Sequence, residues 1–357
     1  MPTERILEVA ATSTDELAQK YSLETFSLGN RRYLGSKTKL LGDIELKLNK
    51  ILGRKPKSLM DAFAGSGVVA AHFAGLGSKV ITNDLLLHNS MAHRAFLLHS
   101  EYSLEDAAEN LVKMSGLKPR DGYITKTFGG KYFSIENARK LDAAREYIEK
   151  ELDSEALQAV AITSLIYAAD KVAQTVGHYD AFFNRDAIDK PVVFRLPKVI
   201  GKGAGHKILT QDANAVVGKQ KVEVLYLDPP YNSRQYSDAY HVLENIARWE
   251  KPEVFGVSQK MDRTSMKSKY STRSAALAFD DLIQAAKAEF IILSYSNTGT
   301  SRAARSNNVL TDTEIIDSMS KVGRVHVEDI EFKEFSVGRT SKREHKERLF
   351  VCEVGEK

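Results

Sequence analysis

Cysteine is nearly missing from this sequence of 357 residues, which contains only Cys352. One cysteine cannot form a disulfide within the chain, and it cannot build a zinc site from several thiolates. The sequence also lacks any uninterrupted apolar run of about 18–20 residues, the length that a membrane-spanning helix requires. The charged N-terminus has no apolar core typical of a signal peptide. We therefore expect a soluble protein of a reducing compartment, the cytoplasm.

A large excess of charge of one sign is lacking too, since 51 lysines and arginines face 47 aspartates and glutamates. The net charge of +4 fits a polyanionic partner without requiring one. Hydrophobic residues make up 43% and charged residues 27% of the chain, as in ordinary globular proteins. The length allows a full-sized core and a second, smaller lobe.

An alternation of strand and helix patterns predicts an α/β fold with a Rossmann-like parallel sheet. The alternation covers residues 58–107, stops, and resumes at "HKILTQDAN" (206–214). Between these parts, "SIENARKLDAAREYIEKEL" (134–152) and "SEALQAVAITSLIYAADKVAQ" (154–174) have helical spacing. The C-terminal segments "RVHVEDIEF" and "RLFVCEV" alternate like an antiparallel hairpin. We therefore expect a mixed sheet formed by 1–107 and 206–357, with a mostly helical insertion at 108–205.

A glycine motif follows the first predicted strand of this sheet, in "DAFAGSGVVA" (61–70). Gly65 and Gly67, with Asp84 seventeen residues further on, match a dinucleotide-binding fingerprint. Asp61 beside the turn would repel a pyrophosphate but attract an ammonium group. S-adenosylmethionine carries an ammonium and no phosphate, so the motif favours this cofactor over a nicotinamide dinucleotide. The ordinary alternative for Asp61 is a helix N-cap.

The segment "RRYLGSKTKLL" (31–41) contains "GSKT", which invites comparison with a P-loop. The spacing fails, because Ser36 separates Gly35 from Lys37 and position 30 is asparagine. Taken alone, the segment is equally well interpreted as a basic surface loop.

The stretch "VLYLDPPYNSRQY" (224–236) is a predicted core strand that ends in an acid and two prolines. Pro229 and Pro230 terminate the strand rigidly and hold the Asp228 carboxylate and the Pro229 carbonyl at the carboxyl edge of the sheet. These two acceptors can bind both N–H groups of a planar amine, while Tyr231 stacks on its ring. Holding both hydrogens draws the nitrogen lone pair out of conjugation, so that the nitrogen can attack a sulfonium methyl. The ordinary alternative is a turn that only ends the strand.

The order of these motifs resembles that of the adenine-N6 DNA methyltransferases of the alpha class. In that class a cofactor loop comes first, then the glycine motif, a target-recognition segment, and "DPPY". The longer strings "DPPYNSRQYSDAYHVLENIARWE" and "FIILSYSNTG" resemble the branch often paired with type IIS restriction enzymes. The resemblance implies a methyltransferase fold, S-adenosylmethionine, double-stranded DNA with a flipped-out adenine, no metal, and a cognate restriction endonuclease as a candidate partner.

The resemblance also assigns roles to residues. Tyr33 and Lys37 would contact the methionine end of the cofactor, although Tyr33 and Ser36 replace the tryptophan and glycine of the best-known maintenance adenine methylases. The other residues expected to bind the cofactor are Asp61, Phe63, Gly65 and Gly67 in its cradle, Asp84 at the ribose, and Asp212 at the adenine amine. The residues expected to hold the target adenine are Asp228, Pro229, Pro230 and Tyr231.

DNA contacts are predicted in the insertion and in two basic loops. Within the insertion, which we expect to recognise the sequence, the candidates for base contacts are Lys131, His178, Tyr179, Asn184 and Arg185. Phe182 and Phe183 are predicted to belong to its core. The candidates for phosphate contacts are Lys267 and Lys269 in one loop, and Lys342 and Arg343 in the other, each loop having solvation alone as its ordinary alternative.

Other functions fit the sequence less well. Methylation of cytosine C5 needs a cysteine after a proline, whereas Cys352 follows Val351. His88 and His93 are five residues apart, which misaligns them on a helix and argues against a metal site. Methylation of RNA or of a protein glutamine, and a non-catalytic nucleic-acid-binding regulator on the same fold, remain as alternatives. A nicotinamide dehydrogenase is disfavoured by Asp61.

Overall fold

The computed structural model describes residues 13–183, 190–201, 203, 205–296, 310–331 and 346–355. The α-helices within these residues are α1 Thr14–Lys20, α2 Leu41–Leu52, α3 Val68–Gly75, α4 Leu87–Leu97, α5 Leu104–Gly116, α6 Tyr123–Phe128, α7 Ile135–Glu151, α8 Glu155–Val172, α9 Ala213–Val216, α10 Tyr236–Ala239, α11 His241–Arg248, α12 Ala275–Ala285 and α13 Asp312–Ser320. The strands are β1 Thr25–Phe26, β2 Ser58–Asp61, β3 Lys79–Asn83, β4 Leu196–Pro197, β5 Lys207–Leu209, β6 Lys221–Leu227, β7 Lys287–Ser296, β8 Gly323–Glu331 and β9 Lys346–Val354.

The main sheet has seven strands in the order β5-β3-β2-β6-β7-β9-β8. Strands β5, β3, β2, β6 and β7 run parallel to one another, whereas β9 is antiparallel to both β7 and β8. Strand β6 is buried at every residue but the first, which is typical of a central strand covered on both faces. The predicted mixed sheet with a parallel core and an antiparallel C-terminal hairpin is confirmed.

The sheet reverses its strand order between β2 and β6. From β2 the chain crosses through α3 to β3 on one side, and β6 is added on the other side. In open α/β sheets, ligands bind in the crevice outside the carboxyl ends of the strands at such a switch point. This topology therefore places the candidate site where β2 and β6 end.

The predicted helical segment after α4 packs on one face of the sheet. Its long helices α7 and α8 begin after Ser134 and Ser154, whose hydroxyls accept from backbone amides three residues on. Phe128 of α6, Leu165 of α8 and Val224 of β6 belong to one hydrophobic cluster. Because one hydrophobic core joins this segment to the sheet, the boundaries of the insertion at residues 108 and 205 stay a prediction.

The opposite face of the sheet is covered by α12 and α13. Phe279 and Ile315 of these helices pack with Leu225 and Ile291 in a second cluster. No helix in the described part of the chain combines the length and the apolar character needed to cross a membrane.

Candidate active site

A cavity of about 960 Å³ lies at the carboxyl edge of the parallel strands. An aspartate comes at or just after the end of each of four neighbouring strands: Asp212 after β5, Asp84 after β3, Asp61 at the end of β2, and Asp228 after β6. All four line the cavity. Because the carboxyl ends of parallel strands meet at one edge, residues far apart in sequence form one acidic wall.

The glycine turn between β2 and α3 forms the base of this cavity and packs against Tyr33. Gly65 and Gly67 have φ angles of +51° and +78°, in the left-handed region that favours glycine. A Cβ at Gly65 would lie 2.8 Å from Cε1 of Tyr33, and one at Gly67 would lie 2.5 Å from Cδ2 of His93. The glycines are therefore required both by the turn and by the close approach of two rings.

Asp61 is a buried acid with unused bonding capacity, since its side chain is only 2% exposed. Its Oδ1 has no hydrogen-bond partner among the described residues. Burial raises the pKa of this carboxyl well above its usual range, and the nearby Asp228 and Asp84 raise it further. A bound cation would offset the repulsion among these three acids, so the site suits a positively charged ligand.

Asp84 connects the glycine turn to the start of α4. Its Oδ2 accepts from the Gly65 backbone amide at 2.7 Å, and its Oδ1 accepts from the Leu86 amide at 2.8 Å. Burial raises the pKa of Asp84 to about 6. The Asn89 side chain donates to this carboxylate too. The carboxylate lines the cavity and, with about four lone-pair sites, keeps capacity for a ligand.

Lys37 reaches the end of β6, 191 residues away in sequence, and pairs with Asp228. Its Nζ lies 2.7 Å from Oδ2 and 2.8 Å from Oδ1 of the carboxylate. Only 6% of the lysine side chain and 17% of the aspartate side chain are exposed. The structure thus places Lys37 on the carboxylate predicted to hold the target amine, whereas the sequence predicted contact with the cofactor.

The residues after Asp228 form the outer part of the same site. Pro229 is buried, and Pro230 is half-buried and lines the cavity. The Tyr231 ring lies edge-on to Tyr295, with ring centroids 6.0 Å apart, and 5.9 Å from Nζ of Lys37. The prolines therefore end β6 beside the acid, and a half-buried aromatic ring stands next to it.

An aromatic stack fixes the first motif against the helices that follow "DPPY". The rings of Tyr33 and Tyr240 are nearly parallel, with centroids 4.8 Å apart, and Tyr236 stacks at 5.7 Å. The Leu34 backbone amide donates to the Tyr240 hydroxyl at 2.7 Å. The loop that carries Lys37 is thereby held over the cavity.

A buried polar network behind this stack was not predicted from the sequence. Burial lowers the pKa of His88 to about 4, so its ring is neutral near pH 7. Its Nδ1 lies 2.8 Å from Glu244 and donates to that carboxylate, while its Nε2 accepts from Arg31 at 3.2 Å. Arg31 also donates to Asn89, whose amide donates to the Tyr33 hydroxyl. These residues share no motif or spacing that could have indicated their contact.

Asp212 and the basic loop at 263–273 lie at the far end of the cavity. Asp212 caps α9 by accepting from the Asn214 amide at 2.9 Å. Lys269 places its Nζ 3.6 Å from Oδ2 of Asp212, and Lys267 lines the same cavity. Phe63 packs edge-on against Tyr270 of this loop at 4.8 Å. The loop predicted to contact phosphate therefore forms part of the rim of this cavity.

The predicted DNA-contacting residues of the insertion have different surroundings. Lys131 donates to the Val257 carbonyl at 3.0 Å, and His178 lies 4.0 Å from Asp180. Tyr179 is fully buried, so the structure places it in the core and not on a DNA-facing surface. The remaining candidates Asn184, Arg185, Lys342 and Arg343 lie outside the described residues.

No group of metal-binding side chains occurs among the residues that the structure describes. His88 and His93 are instead buried singly, and His93 Nε2 lies 3.2 Å from the Gly65 carbonyl. The parallel core of the sheet and its antiparallel C-terminal strands are consistent with a methyltransferase fold.

Comparison with known proteins agrees with this fold. The sequence model of the family described as "D12 class N6 adenine-specific DNA methyltransferase" matches residues 33–303. The chain is 30% identical to the type II methyltransferase M.NlaIII of Neisseria lactamica, with 88% of this chain and 95% of that protein covered. It is 32% identical to the modification methylase StsI of Streptococcus sanguinis, with 90% of this chain and 52% of that protein covered. With the type II methyltransferase M.FokI of Planomicrobium okeanokoites the identity is 27%, over 75% of this chain and 45% of that protein.

The chain belongs to the D12 class of N6 adenine-specific DNA methyltransferases. It is thus an enzyme that transfers a methyl group, and the family predicted from the order of the motifs is confirmed. The chain spans nearly the whole of M.NlaIII but about half the length of the StsI and FokI methylases.

Proposed function

We propose that the cavity binds S-adenosylmethionine beside an adenine flipped out of double-stranded DNA, and that Asp228 presents the adenine amine for methylation. The observation that carries this proposal is the convergence of Asp61, Asp84 and Asp228 on one cavity, with a buried oxygen of Asp61 lacking a partner. Such a wall of acids suits a ligand that carries positive charge but no phosphate.

The residues present fit S-adenosylmethionine. Asp61 would accept from its ammonium group, Asp84 from its ribose hydroxyls, and Asp212 from its adenine amine. Phe63, Gly65, Gly67 and Tyr33 would form the walls of its cradle. When bound, S-adenosylmethionine supplies a methyl group activated by attachment to a positively charged sulfur.

Asp228 is the residue that would prepare the target amine. Its carboxylate and the Pro229 carbonyl accept the two N–H groups, which holds the nitrogen with its lone pair directed away from the ring. Tyr231 stacks on the adenine, and Pro230 closes the wall beside it. Pulling the base from the duplex costs a few kcal/mol, and these contacts offset that cost.

Lys37 has to move or share its carboxylate when the amine arrives, because it now contacts both oxygens of Asp228. The carboxylate group of S-adenosylmethionine is the anion available to receive its ammonium. In this account Lys37 keeps Asp228 paired until cofactor and base are both present.

The partners follow from the chemistry and from the relatives. The proposed phosphate contacts are the exposed Lys269 and Lys267 at the cavity rim and, outside the described residues, Lys342 and Arg343. The proposed base contacts are Lys131 and His178 and, outside the described residues, Asn184 and Arg185. Because relatives carry the names of modification methylases, we propose that this protein protects DNA from a cognate restriction endonuclease.

The test uses the purified full chain. Thermal unfolding is followed with S-adenosylmethionine or with NAD, and transfer of a tritiated methyl group is then measured on random duplex DNA, structured RNA and protein. We expect a rise in melting temperature only with S-adenosylmethionine, and label only on DNA. Label on RNA or protein instead of DNA, or stabilisation by NAD alone, would contradict the proposal.

A further inference from the structure

A second cavity, of about 1130 Å³, adjoins the candidate active site. Consecutive residues of one segment line the two cavities: Arg31 and Arg32 line the second, and Tyr33 and Leu34 line the first. We call the second one the flanking cavity. Its other walls come from the end of α8 and the chain that follows it, including Asp170, Lys171 and Gln174.

Gln174 contributes an unused acceptor to the flanking cavity. The residue is only 9% exposed, and its side-chain Oε1 has no partner among the described residues. Its backbone is fixed, since its amide donates to the Tyr132 carbonyl and its carbonyl accepts from the Phe183 amide, both at 2.9 Å. A buried, unpaired amide oxygen is unfavourable, so a ligand that donates a hydrogen bond would relieve it.

Asp170, in the last turn of α8, adds a second acceptor to the same cavity. Its Oδ1 already accepts from the Tyr179 hydroxyl at 3.1 Å. Burial raises the pKa of this carboxyl above its usual range, while the nearby guanidinium groups of Arg31 and Arg32 act in the opposite direction and favour its charged form. Two acceptors on residues that line one cavity favour a ligand with N–H groups, such as the exocyclic amine of adenine or cytosine.

The rim of the flanking cavity has the opposite character. Arg32, Lys171 and Lys190 line it and are exposed, which places three cations where a phosphate backbone could pass. Phe183, 39% exposed, also lines the cavity and offers an aromatic surface, although the sequence predicted it in the core. Two acceptors and the buried Arg31 inside the cavity, with three exposed cations at its rim, suit a nucleotide better than a small anion or an apolar ligand.

We propose that the flanking cavity holds a nucleotide next to the target adenine, and that Gln174 determines sequence preference by accepting the amine of an adenine or cytosine. This inference rests on the proposed function, because it assumes that DNA occupies the neighbouring cavity. It assigns recognition to residues that the sequence did not single out.

The experiment compares Gln174→Leu, which removes the acceptor at similar volume, with Gln174→Glu, which keeps it. The matched control is Gln19→Leu, because Gln19 is an exposed residue of α1. Each protein methylates a duplex library randomised around the target adenine, and the methylated positions are read by sequencing. Melting temperature and S-adenosylmethionine binding establish that each variant is folded.

The wild type and Gln19→Leu should prefer adenine or cytosine at one position beside the target. In Gln174→Leu that preference should fall about tenfold or more, because a single base contact gives discrimination of this order, while Gln174→Glu should retain it. The double variant Lys171→Ala/Lys190→Ala should lower the log–log salt slope of DNA binding by about 0.9 for each phosphate that these lysines neutralise in the wild type.

A Gln174→Leu enzyme that methylates DNA with the wild-type preference at every position would overturn the inference and leave the proposed function intact. A wild-type enzyme that methylates no duplex DNA would overturn both.

Discussion

Lys37 and Asp228 form a buried ion pair in which one ammonium lies within 2.8 Å of both carboxylate oxygens. The pair joins the first motif of the chain to the "DPPY" motif. In the mechanism proposed above, it also occupies the acceptor that the target amine needs. Lys37 would then release the Asp228 carboxylate only when the cofactor and the base are both bound.

Replacing Lys37 should impair catalysis strongly. Lys37→Met removes a charged hydrogen-bond donor, an interaction worth about 1.5–3 kcal/mol, so kcat/KM should fall roughly 10-fold to 150-fold. Lys37→Arg keeps the charge and should lose less. The control is Lys39→Met, two residues along the chain and exposed. Steady-state methylation of a duplex substrate gives kcat/KM for the three variants. A Lys37→Met enzyme within threefold of the wild-type kcat/KM would refute the role of Lys37.

Tyr231 should act through its ring and not through its hydroxyl. Stacking on a base is worth about 1–3 kcal/mol, so Tyr231→Ala should lose about 5-fold to 150-fold in kcat/KM, while Tyr231→Phe and Tyr231→Trp should lose less. Duplexes with a mismatched target adenine should bind more tightly, because flipping costs less. With 2-aminopurine at the target, binding should raise the fluorescence. Equal losses for alanine and phenylalanine, and no fluorescence change, would argue against a flipped and stacked base.

Cofactor affinity should decrease as the pH falls through 6. In the ligand-free protein the pKa of Asp84 is raised to about 6 and that of Asp61 is raised well above its usual range, each mainly by burial. In the proposed site both acids accept hydrogen bonds as carboxylates, Asp61 from the cofactor's ammonium and Asp84 from its ribose hydroxyls, so at lower pH binding must release protons. The affinity for S-adenosylmethionine should then fall about tenfold per pH unit for each such group well below its pKa.

Isothermal titration calorimetry between pH 7 and 5 measures this dependence. Asp84→Asn should bind more weakly at pH 7 and show a smaller decrease toward pH 5, because one titrating acid is gone. An affinity that stays constant or increases on acidification would show that the ionised forms of Asp61 and Asp84 do not bind the cofactor.

Glu244 should be important for stability. It is fully buried, accepts from the backbone amides of Leu87 and His88 at the start of α4, and pairs with the side chains of His88 and Arg248. Removing one member of such a buried polar group typically costs about 3–5 kcal/mol, so Glu244→Ala should lower the free energy of unfolding by that amount. The control Glu250→Ala changes an exposed acid and should have almost no effect. Urea denaturation measures the free energy of unfolding of both variants. Similar midpoints would contradict the stabilising role of Glu244.

The sequence predicted the features that depend on local patterns. Strand β6 and its termination at Asp228 followed from an apolar run and two prolines, and α7 and α8 followed from helical spacing after Ser134 and Ser154. The acids along the sheet edge could also be predicted, because each lies at or shortly after the end of its strand.

Contacts between distant residues could not be predicted in this way. The Arg31–His88–Glu244 network joins three segments whose spacing carries no signal. Tyr179 was expected at DNA, but a short aromatic segment without clear periodicity does not show which ring faces the core. Gln174 gave no sequence signal, since only the packing around it shows a buried oxygen without a partner.

Asp228 provides the most direct test of the central claim, that this carboxylate presents an adenine amine for methylation. The wild type, Asp228→Ala and the surface control Asp262→Ala are incubated with S-adenosylmethionine and duplex DNA, and N6-methyladenine is quantified by mass spectrometry of the nucleosides. Cofactor binding is measured in parallel. We predict N6-methyladenine with the wild type and the control, and at least about 100-fold less with Asp228→Ala, since losing a preorganised catalytic hydrogen-bonding group typically costs that much. An Asp228→Ala enzyme that binds cofactor and forms N6-methyladenine within threefold of the wild-type rate would contradict the account.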